Sequence, residues 1–389
     1  MPEIIVGCAL SDENRADMPR GLRIPERIID YGERFEERVP NQPPTFELQP
    51  EDLWTIPANF PDQFVPRKTN RWWRALQANP RMLSILTGPP ARIGVHQPVR
   101  NRDVLSSNFF KKYEAIEETK QAMDFAQYIG AEYFVFHLTQ QDKWGWDRKD
   151  QMSKALKIFS VFATYYRSQG MSFVPLIETL EYPRFPATGS EAYDLVHECQ
   201  KVLPETRVAF DVTHLWSSRQ RMLATGAWPD ERISFEQSLE YAVGALWKDI
   251  YLYHLAGGWE SETHAVPGLH PQEDPFRFPL KLRESHGVYL ECGEMDLNAA
   301  LELMTTFSTR RGLDLHVILE IFDRDIDQIL EAVRLIRQDL VLRAAQPPPQ
   351  PEARPARATR KRAAPAKKAA KKTTGKRGRA VIKKAAGKR

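Results

Sequence analysis

The sequence predicts an α/β fold, a (β/α)8 TIM barrel, followed by a disordered basic C-terminal tail. Three observations support this prediction: the chain contains eight short apolar segments, helical patterns lie between most of them, and the composition changes abruptly near residue 346. Continuous apolar strands that alternate with helices form parallel sheets covered on both faces. Eight such units close most simply into a barrel. The alternative is a doubly wound open sheet, but no glycine-rich phosphate loop follows any of the strands.

The strands are predicted from short apolar runs, and the helices from apolar residues that recur every three or four positions. The predicted strands are 3–10, 45–49, 91–97, 131–138, 172–180, 207–213, 249–256 and 315–322. The predicted helices are 110–129, 150–169, 190–201, 233–247, 297–310 and 325–344. Asp325 suits the N-cap of the last helix. The N-terminal third is irregular, and no helix is assigned to it.

The end of the chain differs in composition from the rest. We expect a barrel domain over 1–345, a proline-rich linker over 346–357 and a disordered Lys/Arg/Ala-rich tail over 358–389. Residues 346–389 contain sixteen Lys and Arg and one acid, Glu352, and so carry +15. The whole chain carries +4, so residues 1–345 carry −11. An acidic domain is therefore joined to a strongly basic tail.

The basic tail predicts a polyanionic partner. Clustered cations bind polyphosphates without sequence preference, and salt weakens this binding. We expect DNA contacts from the tail residues Arg360, Lys361, Arg362, Lys367, Lys368, Lys371, Lys372, Lys376, Arg377 and Arg379. A solvated extension without a partner, ribosomal RNA and a membrane surface are the alternatives.

Two further features predict the compartment. The sequence has no apolar run of the roughly 20 residues that a membrane span needs, and its start does not resemble a secretory signal. Its three cysteines, Cys8, Cys199 and Cys292, have no CxxC spacing, so reduced thiols are expected. We predict a cytoplasmic protein without membrane partners, associated with the nucleoid if the tail binds DNA.

Polar residues stand where the predicted strands end. They are His96, His137, Glu178, Asp211 with His214 three positions later, His254 and Glu320. Glu262, His264 and His270 follow in the loop after the seventh strand. In a parallel barrel all these ends lie on one face. Taken singly, Asp211 suits a helix N-cap, and the two glutamates suit ion pairs.

As a group these residues predict a metal site. Buried carboxylates without cations cost several kcal/mol or shift their pKa until they are neutral. Imidazoles mixed with carboxylates are the ligands expected for zinc, manganese or iron. We expect zinc, with manganese or iron as alternatives, and two or three ions per chain. His197, inside a helical pattern, and His316, at the start of the eighth strand, are expected to lie elsewhere.

On these residues the chain resembles the xylose isomerase-like TIM-barrel superfamily over about residues 90–340. This superfamily includes endonuclease IV and many sugar isomerases and epimerases. The isomerase branch binds one divalent metal through a Glu, an Asp, a His and a Glu, a pattern that Glu178, Asp211, His254 and Glu320 match. The endonuclease IV branch holds three zinc ions with additional ligands, and the resemblance places these at His96, His137, His214 and the pair Glu262 and His264, where that branch has Asp-x-His.

The resemblance implies two enzymatic functions. In the first, the protein is an endonuclease IV-like hydrolase that cleaves phosphodiesters in damaged DNA, and Glu178 bridges two metals and helps to activate water. The basic tail supports this hypothesis. In the alternative, it is a single-metal sugar or sugar-phosphate isomerase or epimerase, with Glu178 and Glu320 as the catalytic acid/base pair. A third hypothesis is a nucleoid-associated binder in which the barrel is only a scaffold.

Overall fold

The computed structural model describes residues 2–11, 24–50, 71–88, 91–99, 103–139, 147–224, 233–258, 290, 295–321 and 324–346. Within these residues, eight strands alternate with helices along the chain. The strands are β1 (Ile4–Ser11), β2 (Thr45–Gln49), β3 (Arg92–His96), β4 (Tyr133–Phe136), β5 (Val174–Glu178), β6 (Arg207–Asp211), β7 (Ile250–Leu255) and β8 (Leu315–Leu319).

The strands form one closed parallel barrel in sequence order. The ring closes where β1 pairs with β8, with Gly7 opposite Ile318. On its other side β1 pairs with β2, and Ala9 lies opposite Glu47. Each strand is followed by helical structure, so the predicted (β/α)8 TIM barrel is confirmed. The order of the strands excludes the doubly wound open sheet.

The helices surround the barrel, and the six predicted from the sequence begin and end within two residues of the prediction. The helices are α1 (Ile24–Arg38), α2 (Arg71–Ala78), α3 (Pro80–Thr87), α4 (Phe109–Ile129), α5 (Arg148–Gln169), α6 (Gly189–Val202), α7 (Val212–Ala224), α8 (Phe235–Leu246), α9 (Leu297–Arg311) and α10 (Ile326–Ala345). Four helices, α1, α2, α3 and α7, have no counterpart among the helices that the sequence predicts. Helix α7 begins at the residue after β6, so the apolar run of the strand continues into the helix without a break that a pattern could reveal.

Two cores fill the space on either side of the strands. Outward-facing residues such as Phe46, Phe134 and Phe210 pack with the helices in the main core. Inward-facing residues form a smaller cluster in the barrel interior, made of Ala9, Tyr133, Val135, Leu176, Ala209, Leu252 and Ile318. Side chains alternate across a strand, so the residues two positions further along on β5, β6 and β8 again face the interior. These residues are Glu178, Asp211 and Glu320.

None of the helices in the described part of the chain has the length and apolar character required to cross a membrane. The predicted linker from 347 onward, the tail and Cys292 lie outside the described residues.

Candidate metal centre

The carboxyl ends of the strands bring seven of the nine predicted ligands together. They are joined by Glu47 of β2, and we call this set the rim cluster: Glu47, His96, His137, Glu178, Asp211, His214, His254 and Glu320. All eight side chains are buried, with at most 5% of each residue exposed. Glu262, His264 and His270 lie outside the described residues.

Glu178 occupies the middle of the rim cluster, where four imidazoles surround its carboxylate. Its Oε2 atom lies 2.9 Å from Nε2 of His96 and also contacts Nε2 of His137. Its Oε1 atom lies 3.3 Å from Nδ1 of His254 and 3.5 Å from Nδ1 of His214. Each carboxylate oxygen therefore faces two imidazoles, an arrangement in which one carboxylate can serve two neighbouring cations.

Asp211 caps helix α7, one of the two roles that the sequence leaves open, and it also lies in the rim cluster. Its Oδ1 accepts a hydrogen bond of 2.5 Å from the backbone N–H of His214. This N–H belongs to the first turn of α7, where N–H groups have no partner within the helix. The Thr179 hydroxyl holds the backbone of Asp211 in place, because it accepts a 2.7 Å hydrogen bond from the Asp211 N–H. The carboxylate thus caps a helix and also faces the rim cluster.

Three groups of side chains place one ligand atom each within 4.8 Å of one another. The first contains Glu178, Asp211, His254 and Glu320. The second contains His96, His137 and Glu178, and the third contains Glu47, His96 and Glu320. His214 belongs to none of these groups of described residues, and its Nδ1 lies 2.8 Å from the carbonyl oxygen of Thr179.

The donor set fits a transition metal. Carboxylate oxygens and imidazole nitrogens are ligands for zinc, manganese and iron. Two atoms of the rim cluster, Oε1 of Glu47 and Nδ1 of His137, have no hydrogen-bond partner among the described residues. Buried polar atoms nearly always have a hydrogen-bond partner. A bound cation would give these two atoms the partner that they lack.

Burial and mutual contact shift the pKa values within the rim cluster. Burial raises the pKa of Glu178, but the imidazoles of His137, His254 and His96 outweigh it and hold the pKa well below its usual range. Burial lowers the pKa of His96, but contact with Glu178 raises it to about 9. Burial and nearby carboxylates raise the pKa of Glu320 well above its usual range. Without a cation, this centre retains protons that metal binding would displace.

Burial lowers the pKa of each histidine in the rim cluster, but the net direction of the pKa shift differs among them. Burial is the main cause that lowers the pKa of His137 to about 3, and it also lowers the pKa of His214. Neutral imidazoles are the form that binds metals. Burial therefore favours the neutral, ligating form of both side chains.

Two residues of β2 contact the cluster although they are not among the residues predicted from the sequence, Glu47 and Gln49. Oε2 of Glu47 lies 3.1 Å from Nε2 of His254, and the Gln49 side-chain amide donates a 3.0 Å hydrogen bond to Oε1 of Glu320. The signal was the alternation in TFELQ, where polar residues at 47 and 49 flank Leu48. This alternation places both polar side chains on the face turned away from the helices.

The two histidines that were predicted to lie elsewhere do so. His197 is on α6, where its Nε2 lies 3.3 Å from Oδ2 of Asp249. His316 is on β8, four residues before Glu320, and its ring packs edge-on against Tyr133 and at a tilt against Tyr251.

The sequence model of the xylose isomerase-like TIM barrel family matches residues 60–342, which is more than half of the chain. The chain belongs to this family. The matched region contains seven of the eight rim-cluster residues, and Glu47 precedes it. No curated protein matches this family member in sequence.

Solved structures of the same fold resemble this family member at low identity. The 3-keto-D-glucoside 4-epimerase YcjR from E. coli is 12% identical with a TM-score of 0.50, over 86% of this chain and 100% of that one. A xylose isomerase domain protein from Planctomyces limnophilus is 13% identical with a TM-score of 0.50, over 88% and 99%. An L-ribulose 3-epimerase is 12% identical with a TM-score of 0.50, over 88% and 94%. At these identities the likeness shows the fold.

Proposed function

We propose that this protein is a metal-dependent sugar or sugar-phosphate isomerase or epimerase. The observation that carries the proposal is the buried group formed by Glu178, Asp211, His254 and Glu320, whose ligand atoms lie within 4.8 Å of one another. Four consecutive strands, β5 to β8, supply these residues, each within one residue of the carboxyl end of its strand. Two of the similar structures are epimerases of sugars.

The four side chains supply one nitrogen and three oxygen ligands. A divalent cation held by them would act as a Lewis acid that polarises the carbonyl and hydroxyl oxygens of a sugar. The Asp211 carboxylate is fixed by its contact with the start of α7, and the Glu320 carboxylate by the amide of Gln49. Both ligands are therefore held in place before a substrate arrives, as efficient catalysis requires.

Glu178 and Glu320 are the acid/base pair of the proposed reaction. Isomerisation and epimerisation both begin when a base removes a proton from the carbon next to a carbonyl group. They end when an acid returns a proton, either to the neighbouring carbon or to the opposite face of the same carbon. The two glutamates stand on β5 and β8, with two strands between them, and so approach the mouth of the barrel from different sides.

Exchange of substrate hydrogen with solvent tests this proposal without knowledge of the product. The metal-replete protein is incubated in D2O with a panel of free and phosphorylated aldoses and ketoses, and NMR follows deuterium at the carbon next to the carbonyl group. We expect exchange with at least one sugar and none after chelation. If no sugar exchanges with a metal-replete sample, the proposal is wrong.

Replacement of Glu178, one of the proposed acid/base pair, gives a second prediction for the same exchange assay. We expect Glu178→Gln to lower the exchange rate by at least about 10²-fold, the usual contribution of a positioned acid or base. Glu118→Gln, which changes a glutamate buried on α4 outside the rim cluster, is the control and should keep its rate. A Glu178→Gln variant with full activity would show that the site is elsewhere.

One observation favours a second candidate function, the cleavage of phosphodiesters in damaged DNA. His96 and His137 both contact Oε2 of Glu178, and the three residues form a ligand group of their own. Such a group beside the first would give adjacent cations that share one carboxylate, an arrangement that stabilises the attacking and leaving oxygens in phosphoryl transfer. Oligonucleotides with an abasic site or a UV lesion test it, and chelator-sensitive strand cleavage is the expected result. Intact oligonucleotides after incubation with metal-replete protein would contradict it.

A further inference from the structure

We propose that Glu47, His96 and Glu320 hold a second divalent cation, so that strand β2 contributes a ligand to the metal centre. This inference rests on the proposed function in one respect, because it takes the group of Glu178, Asp211, His254 and Glu320 as the first cation position. The ligand atoms of Glu47, His96 and Glu320 lie within 4.8 Å of one another, and all three side chains are buried.

Glu47 reaches the rim cluster from β2, whereas the residues of the first cation position come from β5 to β8. It lies between Ala9 on β1 and Gly94 on β3 in the register of the sheet. A side chain at Gly94 would collide with the ring of Tyr133, which occupies that space. Small neighbours therefore let Tyr133 and Glu47 share the barrel interior, and Glu47 reaches His254 on β7.

The two carboxylate oxygens of Glu47 differ in their contacts. Oε2 lies 3.1 Å from Nε2 of His254, whereas Oε1 has no hydrogen-bond partner among the described residues. Burial raises the pKa of Tyr133, and the charge of Glu47 and a side-chain interaction with it raise that pKa further. The Tyr133 hydroxyl is therefore a neighbouring donor, although neither it nor Oε1 of Glu47 makes a hydrogen bond of normal geometry among the described residues. A buried carboxylate oxygen without a donor is costly, and a cation between Glu47, His96 and Glu320 would remove that cost.

The charge of the rim cluster supports two cations. Glu47, Glu178, Asp211 and Glu320 are at most 1% exposed. Histidines bind metals in the neutral form, so these four carboxylates would contribute −4 in the bound state. Among the described residues, one divalent cation leaves −2 in a nearly dry interior, and two leave the rim cluster neutral. Unbalanced buried charge is strongly unfavourable.

The contacts of His254 are compatible with both positions. Its Nδ1 faces Glu178 at 3.3 Å and Glu320 at 3.6 Å, on the side of the first cation position, and its Nε2 faces Glu47. A neutral imidazole that binds a metal through Nδ1 carries its hydrogen on Nε2 and donates it to Glu47 Oε2. The other oxygen of Glu47 is then the one available to the second cation.

Metal stoichiometry of the full chain tests the proposal. Protein stripped with chelator is titrated calorimetrically with Mn²⁺ and, separately, with Zn²⁺, and bound metal is measured by elemental analysis after dialysis. We expect two equivalents for the unchanged protein, one for Glu47→Gln, and two for the control Glu118→Gln. A single equivalent for the unchanged protein, or two for Glu47→Gln, would overturn the proposal.

Two more variants separate the alternatives. If the second cation lies instead between His96, His137 and Glu178, His137→Gln loses it and Glu47→Gln keeps it, whereas we expect the reverse. If Glu47 only orients His254, Glu47→Gln weakens the first equivalent by about 10 to 100-fold and leaves the stoichiometry unchanged, which also refutes the proposal. Should Glu47→Gln not fold, Glu47→Asp serves, with an expected loss of at least about 10-fold in affinity for one equivalent only.

The outcome is independent of the catalytic test. Two cations bound through Glu47, without deuterium exchange in any sugar, would support this inference and refute the proposed isomerase or epimerase. Exchange with one bound cation would do the opposite.

Discussion

At the scale of single residues, the environment of each side chain decides its role more than its type does. Glu178 and Glu320 are both buried glutamates at strand ends, but their pKa values shift in opposite directions. Four imidazoles face Glu178, whereas carboxylates lie near Glu320. Opposite shifts in neighbouring groups are typical of sites in which one group donates and the other accepts a proton.

His316 gives a pH prediction at this scale. Burial, with help from Arg92 and His254, lowers its pKa from 6.5 to about 3. Between these values the unfolded chain binds a proton that the folded chain does not, so the free energy of unfolding decreases as the pH falls from about 6.5 toward 3. The slope from one such group approaches about 1.4 kcal/mol per pH unit.

We expect His316→Phe to flatten this dependence, because a phenyl ring keeps the contacts with Tyr133 and Tyr251 and cannot be protonated. Urea unfolding at pH 7.5, 6.0 and 5.0 in the presence of chelator measures it, with the unchanged protein as the reference for all other titrating groups. Parallel pH profiles for the two proteins would contradict the prediction.

At the scale of elements, local sequence patterns predicted the strands and six of the helices. They failed for helices that form because of tertiary packing and not because of a local pattern. The predicted N-cap of α10 is confirmed: Asp325 accepts a 2.9 Å hydrogen bond from the Gln328 N–H, and the Gln328 side chain accepts one from the Asp325 N–H. By contrast, α2 and α3 are eight residues each. Helices of that length are stable only through packing, so their pattern was too short to detect.

The cap of α10 allows a prediction about stability. This helix packs against β1, and we expect Asp325→Ala to lower the free energy of unfolding by about 1 kcal/mol, the usual cost of a lost N-cap. Asp325→Asn keeps the acceptor oxygen and is the matched control. Equal stabilities of the alanine and asparagine variants in urea would show that the cap contributes nothing.

At the scale of the whole molecule, closure of the barrel brings the residues of the rim cluster together. The pairing of β1 with β8 brings β2 to the same interior as β7, which is how Glu47 reaches His254 although 207 residues separate them. The tail residues that the sequence predicts as DNA contacts lie outside the described residues, and we retain DNA binding by the tail as a proposal supported by their charge.

Deletion of the tail tests that proposal. We expect removal of residues 346–389 to weaken binding to random-sequence DNA at low salt and to reduce the salt dependence of binding, because fewer counterions are released. The metal content should not change, which provides the internal control. The same DNA affinity with and without the tail, in a fluorescence anisotropy titration, would show that the tail has no such role.

The sequence by itself determined the fold class and most of the candidate site. Apolar runs with intervening helical patterns define a parallel barrel, and all parallel strands end on one face, so His96, Glu178, Asp211 and Glu320 had to converge. Only the tertiary structure decided which atoms meet: that Glu178 is the carboxylate contacted by four imidazoles, and that Glu47 and Gln49 of β2 contact His254 and Glu320. Those contacts cross the barrel interior between strands distant in sequence, and no local pattern records which side chains reach each other across it.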